Sequence, residues 1–173
     1  MKHIVLILII ASSLFAKEGD ISQHYATNKV VVDGLVAKKL ILTVESLEKM
    51  SGVKTGSTPL VCISGEIKDE VKSYEGVKLK DILAEADIVT SSKRDLNKIY
   101  IQVIASDGYA VIFSYNELFN TNNGDRVIVF YKKNNQFLEE YEGKIALISL
   151  DDNKNGPRHV KWLEKIIVKK IDL

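Results

Sequence analysis

Residues 99–113 read Ile99-Tyr-Ile-Gln-Val-Ile-Ala-Ser-Asp-Gly-Tyr-Ala-Val-Ile-Phe113. Ile99, Ile101 and Val103 alternate with Tyr100, Gln102 and Ile104, the period of two that a half-buried strand imposes. Ala110-Val111-Ile112-Phe113 is a second strand-like run. Between the two stands Asp107-Gly108, a pair suited to the positive φ angles of a type I′ turn. The stretch therefore predicts a β-hairpin in the middle of the chain.

The same reading extends in both directions. Val30-Val31-Val32 predicts a first strand stopped at Asp33-Gly34, and Leu40-Ile41-Leu42 a short extended piece. Thr43 is placed to cap a short helix over residues 44–49 that ends at Gly52. Leu60 to Ser64 predicts a strand broken by Gly65. Leu79, Ile82, Leu83 and Ala86 fall at i, i+3, i+4 and i+7, which predicts an amphipathic helix over 78–86. Ser114 and Glu117 have capping-box spacing ahead of a helix over Tyr115 to Phe119. Residues 126–132 and 137–138 predict a second hairpin around Asn134-Asn135, and residues 145–150 and 165–171 two last strands. Strands outnumber short helices, so the expected class is α+β, mostly β, with mixed sheets.

The N-terminus has the pattern of an export signal. Lys2 precedes an apolar run from Ile4 to Ile10, and small residues lead to Ala16. The run is too short to span a bilayer, so no stable membrane anchor is expected. The expected organisation is a signal peptide over 1–16, a flexible leader over 17–29 and one domain over 30–173. Cleavage removes Lys2 from the 24 basic residues, leaving 23 against 23 acidic ones. A neutral mature chain lacks the basic field of a nucleic-acid binder. One cysteine, Cys62, cannot form an internal disulfide, so the core alone must hold the fold. Abundant Lys, Ile and Asn suit a bacterial source.

Cys62 has apolar neighbours, Leu60, Val61 and Ile63, and no Lys, Arg or His within five residues on either side. Such a thiol reads as a packing residue better than as a reactive one. His24, His159 and Cys62 lack zinc-ligand spacing. Asp151-Asp152-Asn153 lacks the glycine and glutamate of a calcium loop and reads as an ordinary turn. Trp162 reads as core with its indole N–H on a carbonyl.

Three segments together resemble one family. Tyr74-Glu-Gly-Val-Lys-Leu-Lys-Asp-Ile-Leu83 is similar to its "Y-x-G-x-x-L-x-D-x-L" helix start. Ser106-Asp-Gly-Tyr109 is similar to its "DGY" hairpin. Gly156-Pro-Arg-His-Val-Lys-Trp-Leu163 followed by Ile166 is similar to its C-terminal "G-x-R-x-V-K-W-L-x-x-I". These order the chain like the molybdopterin-binding domain of sulfite-oxidase-type enzymes. The resemblance implies that a cysteine thiolate on a loop after a strand binds molybdenum beside two dithiolene sulfurs of the pterin. Cys62 stands in that region and is the implied metal ligand. The resemblance likewise makes Tyr109, Arg158, His159 and Lys161 the candidate cofactor holders, with arginine as a fork and lysine as a point charge for phosphate oxygens.

The sequence departs from the catalytic pattern in two places. Where catalytic members have Gly-Asn-Arg soon after the cysteine, this chain has Ile63-Ser-Gly-Glu66. The family's cofactor is inserted in the cytoplasm and exported inside folded protein by a twin-arginine signal, yet no arginine precedes Arg94. The expectation is a periplasmic or secreted binding or accessory module, sent through the general secretory route, that has lost the metal and uses no cofactor. Its expected partner is a small anionic ligand or a periplasmic redox protein, and no catalytic residue is assigned. The alternative is a small molybdenum-molybdopterin oxidoreductase with Cys62 as ligand.

Overall fold

The structure is a computed structural model and describes residues 24–172; the expected signal peptide lies outside them. Twelve strands are described, in two five-stranded sheets and a separate hairpin. The first sheet is mixed. It contains β1 (Val30–Gly34), β2 (Leu40–Leu42), β7 (Ile99–Ala105), β8 (Ala110–Ser114) and β12 (Leu163–Lys170) in the order β2-β1-β12-β7-β8. β12 runs parallel to β1 and antiparallel to β7. The second sheet is antiparallel, built on β9 (Val127–Lys133) with β6 (Tyr74–Lys78) along one edge. β10 (Gln136–Phe137) and β11 (Ala146–Ser149) share its other edge, and β3 (Val53–Lys54) extends β6. β4 (Thr58–Val61) and β5 (Ile67–Val71) form the hairpin.

Three short α-helices join these layers: α1 (Val44–Leu47), α2 (Leu79–Ala86) and α3 (Tyr115–Phe119). Thr43 caps α1 in a full capping box, with Ser46 as the reciprocal partner. Ser114 accepts the Glu117 N–H at 3.0 Å, but the Glu117 carboxylate turns to Arg158 instead of completing the box. The mostly β, α+β class with mixed sheets is the one the sequence predicts.

β9 decides how the layers stack. Its run Val127-Ile-Val-Phe-Tyr131 is buried at every position. Val127, Val129 and Tyr131 face a core shared with β1, β7, β12 and α2, whereas Ile128 and Phe130 face a second core with Leu60, Val71 and Tyr74. A strand covered on both faces reads as a continuous apolar run because neither side meets water. The β4–β5 hairpin closes the second core, which places Cys62, just past β4, at its rim.

Several local expectations are corrected. The strand over 60–64 ends at Val61; Cys62 opens a turn held by Cys62 N–H to Glu66 O at 2.8 Å and Gly65 N–H to Cys62 O at 2.9 Å. β5 and β6 carry no clear strand pattern. Four of the five β5 residues are exposed, so no alternation appears, and the family-like segment from Tyr74 is a strand before it becomes a helix. The type I′ turn falls at Asn134-Asn135, where φ is 54° and 65°, and not at Asp107-Gly108. In the latter only Gly108 has positive φ, 89°. Gly108 N–H bonds Ala105 O and Ala105 N–H bonds Tyr109 O, a β-turn over 105–108 whose last residue is the left-handed glycine of a bulge. Trp162 is half-buried, with φ 47°, and its indole N–H does meet the Glu140 carbonyl at 2.7 Å. Within the stretch read as a leader, Thr27 donates to Leu163 O at 2.8 Å and Tyr25 lies against Trp162.

Gly108→Val forces a β-branched side chain into that left-handed position and is expected to lower stability by about 1 kcal/mol or more. A urea unfolding midpoint equal to that of the wild type would contradict the assigned turn.

Candidate functional site

The turn after β4 and the segment 154–161 face each other because one side chain ties them. Asn155 is 2% exposed. Its carbonyl accepts the Val61 N–H at 2.8 Å and its amide donates to Pro59 O at 2.8 Å, so it adds to β4 as a surrogate strand. Gly156 allows the approach: a Cβ there would stand 2.7 Å from Val61 O. The backbone after the clamp then carries His159 and Lys161 past Cys62.

These residues enclose a cavity of about 190 Å³ walled by Cys62, Lys68, Lys133, Tyr141, His159 and Lys161, with the carboxylates of Asp69 and Glu142. Lys133 bridges both acids, at 2.8 Å to Glu142 and 3.7 Å to Asp69. Among the described residues Lys68 and Lys161 have no carboxylate partner within ion-pair distance. The Lys161 ammonium sits 3.5 Å from the Tyr141 ring centre. The closeness of this ammonium to the phenol, and its charge, hold Tyr141 below its ordinary pKa. Cys62 is half-buried and belongs to neither core.

His159 is the buried member of the wall. Its side chain is 5% exposed, its Nε2 has no hydrogen-bond partner, and Glu142 Oε1 is 3.8 Å away, beyond hydrogen-bond reach. Loss of water pushes the imidazole pKa down to about 4; Glu142 opposes the shift, and Lys161, Lys133 and Lys68 add to it. The imidazole is therefore neutral at pH 7. Tyr74, behind it, has an unpartnered hydroxyl that burial, Glu142 and Asp69 hold protonated.

Of the five residues singled out in the sequence, the structure brings Cys62, His159 and Lys161 to one cavity. Arg158 turns the other way. Its guanidinium donates to both oxygens of Asp152, from Nε at 2.6 Å, and to Glu117 at 2.6 Å, and it stacks 4.5 Å from the Phe113 ring centre. Tyr109 gives its hydroxyl to Pro157 O. Neither lies on the cavity wall. Asn155, Lys68, Lys133, Tyr141 and Glu142 escape the sequence reading, since nothing local marks them; Asn155 alone adjoins a motif, one residue before Gly156.

A mixed sheet packed on an antiparallel one, with a cysteine turn and lysines around a small cavity, defines the class as an α+β domain with a site at a strand end. The chain belongs to the oxidoreductase molybdopterin-binding domain family, whose model matches residues 18–172. Its fold is similar to the crystal structure of the sulfane dehydrogenase SoxCD from Paracoccus pantotrophus, with a TM-score of 0.62 and 19% identity. That match covers 88% of this chain and 40% of the other, so the chain spans well under half of the neighbour's length. No curated protein sequence matches the chain.

His159 gives a pH test. The unfolded imidazole takes a proton near 6.5 and the folded one only near 4, so the contribution to stability is complete above 6.5 and is lost as pH falls toward 4. The loss is roughly 3 kcal/mol at most. His159→Phe is expected to flatten the fall in urea stability between pH 7 and 4.5, since carboxylate titration is common to both proteins. Equal slopes would contradict a buried neutral His159.

Proposed function

We propose that this protein is an exported binding or accessory module of its family that has given up the molybdenum-pterin cofactor and kept the cleft for a small anionic ligand. The observation that carries the reading is the cleft itself. At about 190 Å³ it lies below the roughly 300–1,000 Å³ of pockets that engulf cofactor-sized ligands. The one guanidinium of the C-terminal motif, which would grip a phosphate, is committed to Asp152 and Glu117. The residues present do not fit the whole cofactor. Two unpaired ammoniums, Lys68 and Lys161, and the neutral His159 suit a smaller anion.

One observation favours the second reading, a small molybdenum oxidoreductase. Cys62 follows a strand and faces the cavity, where a thiolate ligand would have to stand. The two readings part on loading. The chain without residues 1–16, produced in the cytoplasm of a bacterium that makes the cofactor, is expected to purify without pterin, read as fluorescence after oxidative release. A stoichiometric yield would establish the second reading.

Export by the general secretory route rests on Lys2 and the apolar run Ile4 to Ile10. Protein isolated from its native host is expected to begin at Lys17. A native chain beginning at Met1 would contradict export with cleavage.

A further inference from the structure

In sequence Cys62 has no cation nearby, which argues for an inert thiol. The fold brings two cations to the same cavity wall. Strand β5 brings Lys68 back across the turn, and the Asn155 clamp brings Lys161 from the far end of the chain to the same wall. The carboxylates of that wall are already engaged by Lys133, so Lys68 and Lys161 are the cations of the wall that have no carboxylate partner among the described residues. A second feature lies on the same wall: the side chain of His159 is 5% exposed and its buried Nε2 has no hydrogen-bond partner. An unpaired polar atom at such burial calls for a bound group or an ordered water. Cys62 itself is half-buried, outside both cores and on the wall of the cavity.

We propose that Cys62 is a thiol–disulfide exchange site for small disulfides that carry carboxylates, such as those of amino acids or short peptides, with Lys68 and Lys161 as the carboxylate anchors. The proposal rests on the metal-free reading of the cleft, because a thiolate bound to metal cannot exchange. In the step, the Cys62 thiol releases its proton to solvent and the thiolate attacks one sulfur of the small disulfide. A new sulfur–sulfur bond forms to Cys62, the old one breaks, and the other half leaves as a thiolate. The small disulfide is the oxidant, so no further reactant is needed. The half that stays is a thiol-sized group with a carboxylate, a size the cavity accommodates.

The mature chain, reduced and desalted, tests this against two reagents of opposite charge: the dianionic disulfide of thionitrobenzoate and the dicationic disulfide cystamine. Rates are compared with those of a short peptide containing the sequence around Cys62. After that correction, Cys62 is expected to react about tenfold or more faster with the anionic reagent, with the preference falling as salt rises. The variant with both Lys68→Gln and Lys161→Gln is expected to lose the preference while remaining reactive. Equal corrected rates, or a preference unchanged in the double variant, would overturn the proposal. Silence toward both reagents in molybdenum-free protein would overturn it alone. Silence accompanied by stoichiometric molybdenum in the same preparation would overturn the metal-free reading as well.

Discussion

The placement of β12 is the constraint on which the rest depends. The C-terminal strand lies between β1 and β7, parallel to one and antiparallel to the other, with Leu163, Ile166 and Val168 buried in the main core. A parallel pair cannot be joined by a tight turn. The chain between β1 and β12 therefore builds the second sheet as well as β2, β7 and β8 of the first before it returns to the place beside β1. On its way back from β11 the chain has to cross from that sheet to the first, and it does so through residues 150–162. The crossing runs past the end of β4, where Asn155 clips it to Val61 and Pro59. The cavity beside Cys62 is the gap left at that crossing.

The fold was legible where one side of an element is wet. The alternation in β7, the i, i+3, i+4 spacing in α2 and the cap at Thr43 each record a boundary between core and solvent, and each appears where the sequence predicts it. Legibility failed where that boundary is missing or where tertiary partners impose the structure. β5 is mostly exposed and is a strand because β4 pairs with it, not because of its own pattern. Asp107-Gly108 shows the limit of a dipeptide rule: the same two residues serve a two-residue loop or a longer bulged one, and the strand register chooses between them. The site was legible in Cys62, His159 and Lys161, which ride on family-like segments. Arg158 carries the same motif, yet Asp152 and Glu117 hold it elsewhere, and no spacing in the sequence announces that competition. Lys68 enters through the β4–β5 hairpin pairing, and Asn155 through long-range hydrogen bonds to β4.

The ion pairs decide which charges remain on the cavity wall. Lys133 is consumed by two acids, Arg158 by two others, and His159 is kept neutral by burial. Lys68 and Lys161 remain on the wall without a carboxylate partner among the described residues, and the proposal of a small anionic ligand rests on them. Molybdenum and protein measured together in chain isolated from its native host test this account most directly. The account predicts molybdenum far below one atom per chain. A stoichiometric ratio that disappears in Cys62→Ser would contradict it.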